Sequence, residues 1–317
     1  MSGLSNLFRP RDAPKTQVRP VGPGEIAVAL SVLLGNAERL ADGNAVADFE
    51  ELARLRGIDL TKLRIGLLDG RLAAAALPVP SPGRTVLLLV SPAGRSAVAA
   101  SLVAGCAEAT IAALPQTDRP LVQVLLEPGE TKAADALRAV GVAPLATLLY
   151  LQRRLKRVAF PAATLPPFLH YSPATHERFA RVIESTYENS LDCPPMRGLR
   201  GIDDVIAGHR ATGEFDPDLW FCFGNDAGED LGVLLLAPVT AQPMTELVYL
   251  GLAPAARGKR LADELVRHAL HTAAASGHEL LTLAVDSGNV PALRLYHRHG
   301  LAEIARRLAM IRPPLPE

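Results

Sequence analysis

Apolar and polar positions along the chain fall into short runs whose period changes repeatedly. Residues 25–57 alternate apolar and small residues in a helical rhythm. Arg64–Leu68 and Leu72–Leu77 flank Asp69-Gly70, a dipeptide that suits the left-handed backbone of a tight turn and so predicts a hairpin. Arg84–Val90 is a mostly apolar run, as expected of a strand covered on both faces. A long Ala-rich helix follows to about Leu114. Then come a strand at Leu121–Leu126, a helix at Thr131–Val140 stopped by Gly141, and a strand at Leu145–Leu151.

The second half repeats that order. Pro173–Ser190 and residues 201–213 read as helices, and Leu219–Gly224 with Gly232–Val239 as a hairpin. Met244–Leu252 is the next strand, Gly258–Ser276 a helix, Leu280–Val285 a strand, Val290–His299 a helix, and about Ala305–Ile311 the last strand. Matching orders imply an internal duplication, although the halves share few identities. The expected fold class is α/β, with two domains in tandem, each a mixed, mostly antiparallel sheet flanked by helices. The connector Gln152–Pro167 is basic first and then rich in Pro and Ala, which places the domains at 1–157 and 158–317. The leader before residue 25 reads as loose.

Composition narrows the function classes. The chain has 317 residues, 49% hydrophobic and 21% charged, with 33 basic against 33 acidic side chains. That is a folded globular chain long enough for two cores. Its neutral balance argues against a nucleic-acid partner, which would demand a basic surplus. Three widely spaced cysteines, Cys106, Cys193 and Cys222, make neither a disulfide framework nor a zinc site, and no metal is expected. Apolar runs are broken well short of 18 residues and no targeting segment is visible, so the expected location is the cytoplasm, with no membrane partner.

The chemistry concentrates in Leu247–Leu270, where a strand runs through a Pro-containing turn into a helix that opens on Arg257-Gly258-Lys259-Arg260. Backbone N–H groups at a helix start, with the helix dipole, make a pyrophosphate cradle. Gly258 permits close approach, and the three cations supply charge. Basic residues at that end oppose the dipole, which an anionic ligand would explain.

This stretch resembles the signature of the GNAT superfamily of N-acetyltransferases, Arg/Gln-x-x-Gly-x-Gly/Ala, which falls here on Arg257, Gly258, Lys259, Arg260, Leu261 and Ala262. Arg260 stands where the family has its middle Gly. A second segment, Asp286–Arg307, is similar to the family's Asn-x-x-Ala-x-x-Leu-Tyr-x-x-x-Gly-Phe, with Asn289, Ala292, Leu295, Tyr296 and Gly300 matching and Leu301 replacing Phe. The resemblance implies two acyl-CoA N-acyltransferase-like domains with acetyl-CoA as cosubstrate. It implies Asn289 and Ala292 on the pantetheine side, and Tyr296 as the acid for the leaving thiolate. Glu246 lies at the strand position of the family's direct base. A backbone N–H near Leu250 and Leu252 would polarise the thioester carbonyl. Bottom-up, Asn289 also suits the cap of the helix that Pro291 begins.

The first half keeps the pattern without the chemistry. Ser91–Cys106 has no basic Gly-x-Gly/Ala signature, and Glu127–Glu130 stands where Asn is expected. It reads as a degenerate copy, in a layout similar to tandem members of the family such as the mycothiol synthase-like proteins. Residues 184–230 hold eleven Asp or Glu against three Arg and no Lys, an acidic wall that would attract a cationic amine. The expected function is acetyl transfer from acetyl-CoA to a primary amine of a small molecule, by a monomer or homodimer. The alternative is a non-catalytic CoA-binding sensor or scaffold.

Overall fold

The computed structural model describes residues 14–35, 43–115, 120–155, 160–239 and 242–314. Parts of the predicted helical stretch (36–42) and of the connector (156–159) lie outside the described residues. The chain divides into two compact units, each assembled from separate stretches.

The first unit comprises residues 1–79, 88–114 and 130–141. Its sheet contains β1 (Thr16–Pro20), β2 (Arg64–Leu68) and β3 (Arg71–Ser81), paired antiparallel in that order. The predicted turn holds: Asp69 and Gly70 both take positive φ, 49° and 79°. The leader is not loose throughout, because residues 16–20 form β1. Its alternation is too short to read as a strand without the partner that β2 supplies. Helices α1 (Ile26–Leu33) and α2 (Gly43–Arg56) stand where one helical rhythm was expected. Leu30, Leu33, Leu63, Ile65 and Leu77 form this unit's apolar core. Helix α3 (Ala97–Ala112) lies close over β2: a Cβ on Gly66 would come within 3.2 Å of Leu102 Cβ and 3.3 Å of Cys106 Sγ. Helix α4 (Thr131–Ala139) packs beside α3.

The second unit holds residues 80–87, 115–129 and 142–317. Strands β5 (Leu121–Leu126), β6 (Ala143–Arg154), β8 (Trp220–Gly224), β9 (Asp230–Val239), β10 (Met244–Leu252), β11 (Leu280–Asp286) and β12 (Ala302–Arg312) supply its sheet, with a short β7 (Phe168–His170) at the edge. They run in the order β5-β12-β6-β11-β10-β9-β8-β7. The first residues of β4 (Thr85–Val90) lie parallel to β5. The sheet is mixed and mostly antiparallel, as expected. Helices α7 (Leu261–Ala275) and α8 (Val290–Arg298) cover one face around Leu234, Leu236, Leu247 and Leu283. Helices α5 (His176–Thr186) and α6 (Ile202–Arg210) cover the other around Phe179, Ile183 and Trp220. Burying each of these large side chains contributes about 1.5–3 kcal/mol.

The two closing strands lie side by side. β6 pairs with β11 and β12, and β12 pairs with β6 and β5. The boundary expected at residue 157 therefore does not coincide with the compact units, since β6 is built into the second unit's sheet. A rhythm of two marks a strand but carries no address for its partner.

Candidate active site

Strands β10 and β11 are paired only at their starts, Met244–Glu246 against Leu280–Thr282. Beyond that they part, and Leu247–Leu252 bonds to β9 alone. The bulge at Val248 adds to the bend. A cleft of about 620 Å3 opens where the strands separate. That size accommodates a substrate arm rather than water alone. Ten of the residues singled out from sequence line it: Leu250, Leu252, Arg257, Gly258, Arg260, Leu261, Ala262, Asn289, Ala292 and Tyr296.

The mouth of the cleft is the start of α7. Gly258 and Arg260 both adopt left-handed backbone, φ 74° and 62°. Arg260 is the N-cap but offers no side-chain cap, which leaves first-turn N–H groups of α7 for a ligand. Its left-handed φ is the reason a glycine suits the position. Three cations near this mouth, Lys259, Arg260 and Arg294, make no ion pair or hydrogen bond among the described residues and are exposed. Lys259 faces a shallower neighbouring depression rather than the cleft itself. Arg257 is employed differently. Its Nε donates to the Leu252 carbonyl (3.1 Å), its Nη2 to the Thr186 carbonyl (2.9 Å) and its Nη1 to the Asn189 carbonyl (3.5 Å). The side chain thus ties the end of β10 to the end of α5 and shapes the cleft wall. Tyr249 adds a second tie, its hydroxyl 2.6 Å from Thr186 Oγ1.

Helix α8 supplies the opposite wall. Asn289 Oδ1 accepts the Ala292 N–H (3.3 Å), the expected cap. Seven residues on, Tyr296 is 6% exposed, and its phenol faces the cleft without a hydrogen-bond partner among the described residues. Burial, and then the nearby Asp192 carboxylate, push its pKa above the usual phenol value, so it stays protonated across the physiological range. Asp192 opens to the cleft and keeps solvent contact. Burial among its neighbours raises its own pKa, with the facing Asp286 carboxylate adding to it. The turn is knit tightly: Asp286 N donates to Asp192 Oδ1 (3.2 Å) and Cys193 N to Asp286 Oδ2 (3.1 Å). Burial raises the Cys193 thiol to about 12, which leaves it an inert thiol.

Glu246 does not line the cleft. It sits where β10 is still paired on both sides, opposite Ala237 and Thr282. Burial raises its pKa above the ordinary 4.5. Three of the eleven acidic residues of the expected wall are paired: Asp203 with His176, Asp204 with Arg84, Asp230 with Arg178. Of the acidic residues in that segment, Asp192 is the one that lines the cleft. Sequence reasoning did not single out Arg294, Tyr249 or Thr186; residues 187–191 entered only as part of the acidic 184–230 stretch. Arg294 carried a signal, since it lies on the same short helix as Asn289 and Tyr296; the others depend on the path of α5. Among the described residues no group of three His, Cys, Asp or Glu is placed to hold a metal, and no helix is long and apolar enough to cross a membrane.

Comparison with known proteins bears on what such a cleft does. Residues 183–301 match the model of the acetyltransferase (GNAT) family. The chain is 27% identical over 293 residues to a mycothiol acetyltransferase from Thermomonospora curvata, across 90% of this chain and 94% of the relative. A mycothiol acetyltransferase from Corynebacterium glutamicum is 40% identical over 121 residues, 38% of this chain and 40% of that protein. Among solved structures, a GCN5-related N-acetyltransferase from Sphaerobacter thermophilus has the same fold, with a TM-score of 0.61 at 19% identity over 95% of this chain and 96% of that one. The matched segment runs from α5 to the end of α8 and so contains the whole cleft, with its uncapped helix start, unpaired cations and buried phenol. That segment matches the acetyltransferase (GNAT) family, and the chain is an acyl-CoA-dependent N-acyltransferase that moves an acyl group from acetyl-CoA to an amine.

Proposed function

We propose that residues 158–317 carry acetyl-CoA binding and catalysis, and that residues 1–157 are a second domain of the same plan that has lost the chemistry. The acceptor is a primary amine on a small molecule. The names of the two relatives favour an acceptor of the mycothiol kind. The observation that carries the reading is Tyr296: a buried ring with no hydrogen-bond partner among the described residues, lining a cleft between two parted strands.

In this mechanism the start of α7, with Arg260, Lys259 and Arg294, binds the phosphates, and Arg257 keeps the wall in shape. The N–H groups along Leu250–Leu252 that face away from β9 hydrogen-bond the thioester carbonyl and stabilise the developing oxyanion. The amine nitrogen attacks the carbonyl carbon and its proton passes to Glu246 through water. The C–S bond breaks, and Tyr296 gives its proton to the departing thiolate. Asp192 supplies negative charge for a cationic acceptor on approach. Against a mere scaffold stands the placement of Tyr296 on the cleft wall two turns along the helix that Asn289 caps, with its hydroxyl bonded to no described residue.

The test is acetyl transfer from acetyl-CoA to a panel of small primary amines, with the product followed by mass. The expected result is a gain of one acetyl group on an amine, at a rate that falls in Tyr296→Phe. Thioester hydrolysis alone, with no amine acetylated, would overturn the reading.

A further inference from the structure

The loop before α3 and the start of α4 contain an arrangement that neither helix needs for its own stability. Glu130 is the N-cap residue of α4, yet its side chain does not cap that helix. Its carboxylate reaches back to the loop that follows β4. Oε2 accepts the Ala93 N–H at 2.9 Å, and the Gly94 N–H is shared between Oε1 (3.0 Å) and Oε2 (2.9 Å). Gly94 is left-handed, φ 56°, which turns two successive N–H groups toward one point. Such a pair is an anion-binding nest. Helix α3 is capped independently by Ser96, whose Oγ accepts the Ala99 N–H (3.2 Å). The nest thus serves Glu130 alone.

The position of Glu130 gives this contact its meaning. Glu130, Ala133, Leu137 and Gly141 repeat the spacing of Asn289, Ala292, Tyr296 and Gly300. Gly141 and Gly300 both end their helices in left-handed backbone, φ 83° and 73°. Where Asn289 caps its own helix and leaves the neighbouring helix start open, Glu130 spends its charge on the facing loop. We propose that the Glu130 carboxylate is a built-in anion that fills the first half's phosphate cradle and closes it to acetyl-CoA. Removing it uncovers a site for a small oxyanion of the phosphate class. The inference rests on the reading of the second half as the acetyl-CoA site.

The experiment uses the full chain with saturating acetyl-CoA, so that the second half's site is filled in parent and variant alike. Glu130→Ala should lower the thermal midpoint by roughly 2–6 °C, as for the loss of charge-assisted hydrogen bonds. Millimolar inorganic pyrophosphate should return at least half of that loss, while potassium chloride of equal ionic strength should not. The parent should barely respond to pyrophosphate, and acetyl transfer by the variant should match the parent's. If Glu130→Ala does not fold, Glu130→Gln decides. Its amide keeps one acceptor without the charge, and pyrophosphate should raise its midpoint above the parent's response. Equal responses of parent and variant to pyrophosphate, or an unshifted midpoint in Glu130→Ala, would overturn the proposal. Failure of the underlying reading would look different: the parent itself would bind no acetyl-CoA, whatever Glu130 does.

Discussion

Two short helices, α4 and α8, follow parallel-paired strands and end alike, but they start in opposite ways. Asn289 satisfies its own helix and leaves the adjoining α7 start unfilled beside a 620 Å3 cleft. Glu130 leaves its own helix uncapped and binds the N–H groups of the adjoining loop. Seven residues on, α8 presents the phenol of Tyr296 where α4 presents the wholly buried Leu137. The scaffold positions, Ala and Gly, are the same in both. The difference teaches that a helix of this packing tolerates a change at its cap and another two turns on; on the reading proposed above, those two changes remove the cradle and the proton donor.

The sharpest way to break that contrast is to remove the hydroxyl. Tyr296→Phe keeps the ring and its packing, and kcat should fall about ten- to a thousand-fold with little change in KM for acetyl-CoA. Because burial and Asp192 hold the phenol protonated, the parent should show no alkaline loss of activity from this group between pH 6 and pH 9. Full activity of the Phe variant would make Tyr296 the equal of Leu137.

Arg257→Ala removes three bonds to carbonyls that hold β10 against the end of α5. The expected cost is about 1.5–3 kcal/mol, read as a ten- to hundredfold rise in KM for acetyl-CoA together with a lower thermal midpoint. A changed KM with an unchanged midpoint would instead mean direct phosphate contact and no brace.

Glu246 tests the sign of a buried carboxyl. Burial raises its pKa above 4.5, so the folded chain holds that proton more tightly than the unfolded chain. As pH climbs from 4.5 through the folded value, the unfolded chain loses its proton first, and stability falls. Glu246→Gln should therefore be more stable than the parent at pH 7, with the gain vanishing below about pH 4. Its kcat should drop by roughly tenfold or more if the carboxylate takes up the amine's proton. A stabilised variant with full activity would assign the proton to water.

The smallest effect belongs to Arg260. A glycine at φ 62° relieves left-handed strain of about 1 kcal/mol, and Arg260→Gly should raise the midpoint by about 2–4 °C. Loss of one of three unpaired cations should weaken acetyl-CoA binding only slightly.

Much of this site is local and was therefore legible. Asn289 and Tyr296 sit two helical turns apart, a spacing a helix keeps wherever it packs, and Arg257–Ala262 is one continuous loop and helix start. The element order was legible for the same reason. What escaped depends on partners distant in the chain. The pairing of β6 with β11 and β12 is written in no strand's own pattern, and β1 exists because β2 lies beside it. Arg257 reads as a phosphate ligand until Thr186, far back in the chain, is seen to accept its hydrogen bond. The acidic run from 184 to 230 reads as a wall until Arg84, Arg178 and His176 are seen to pair with three of its carboxylates and Asp192 to be the one that lines the cleft.

The central claim is that one half of the chain holds acetyl-CoA and the other does not. Calorimetric titration of the intact protein with acetyl-CoA tests it most directly. The account predicts one site per chain, weakened in folded Arg257→Ala. Two equivalent sites, or a single site indifferent to that substitution, would contradict it.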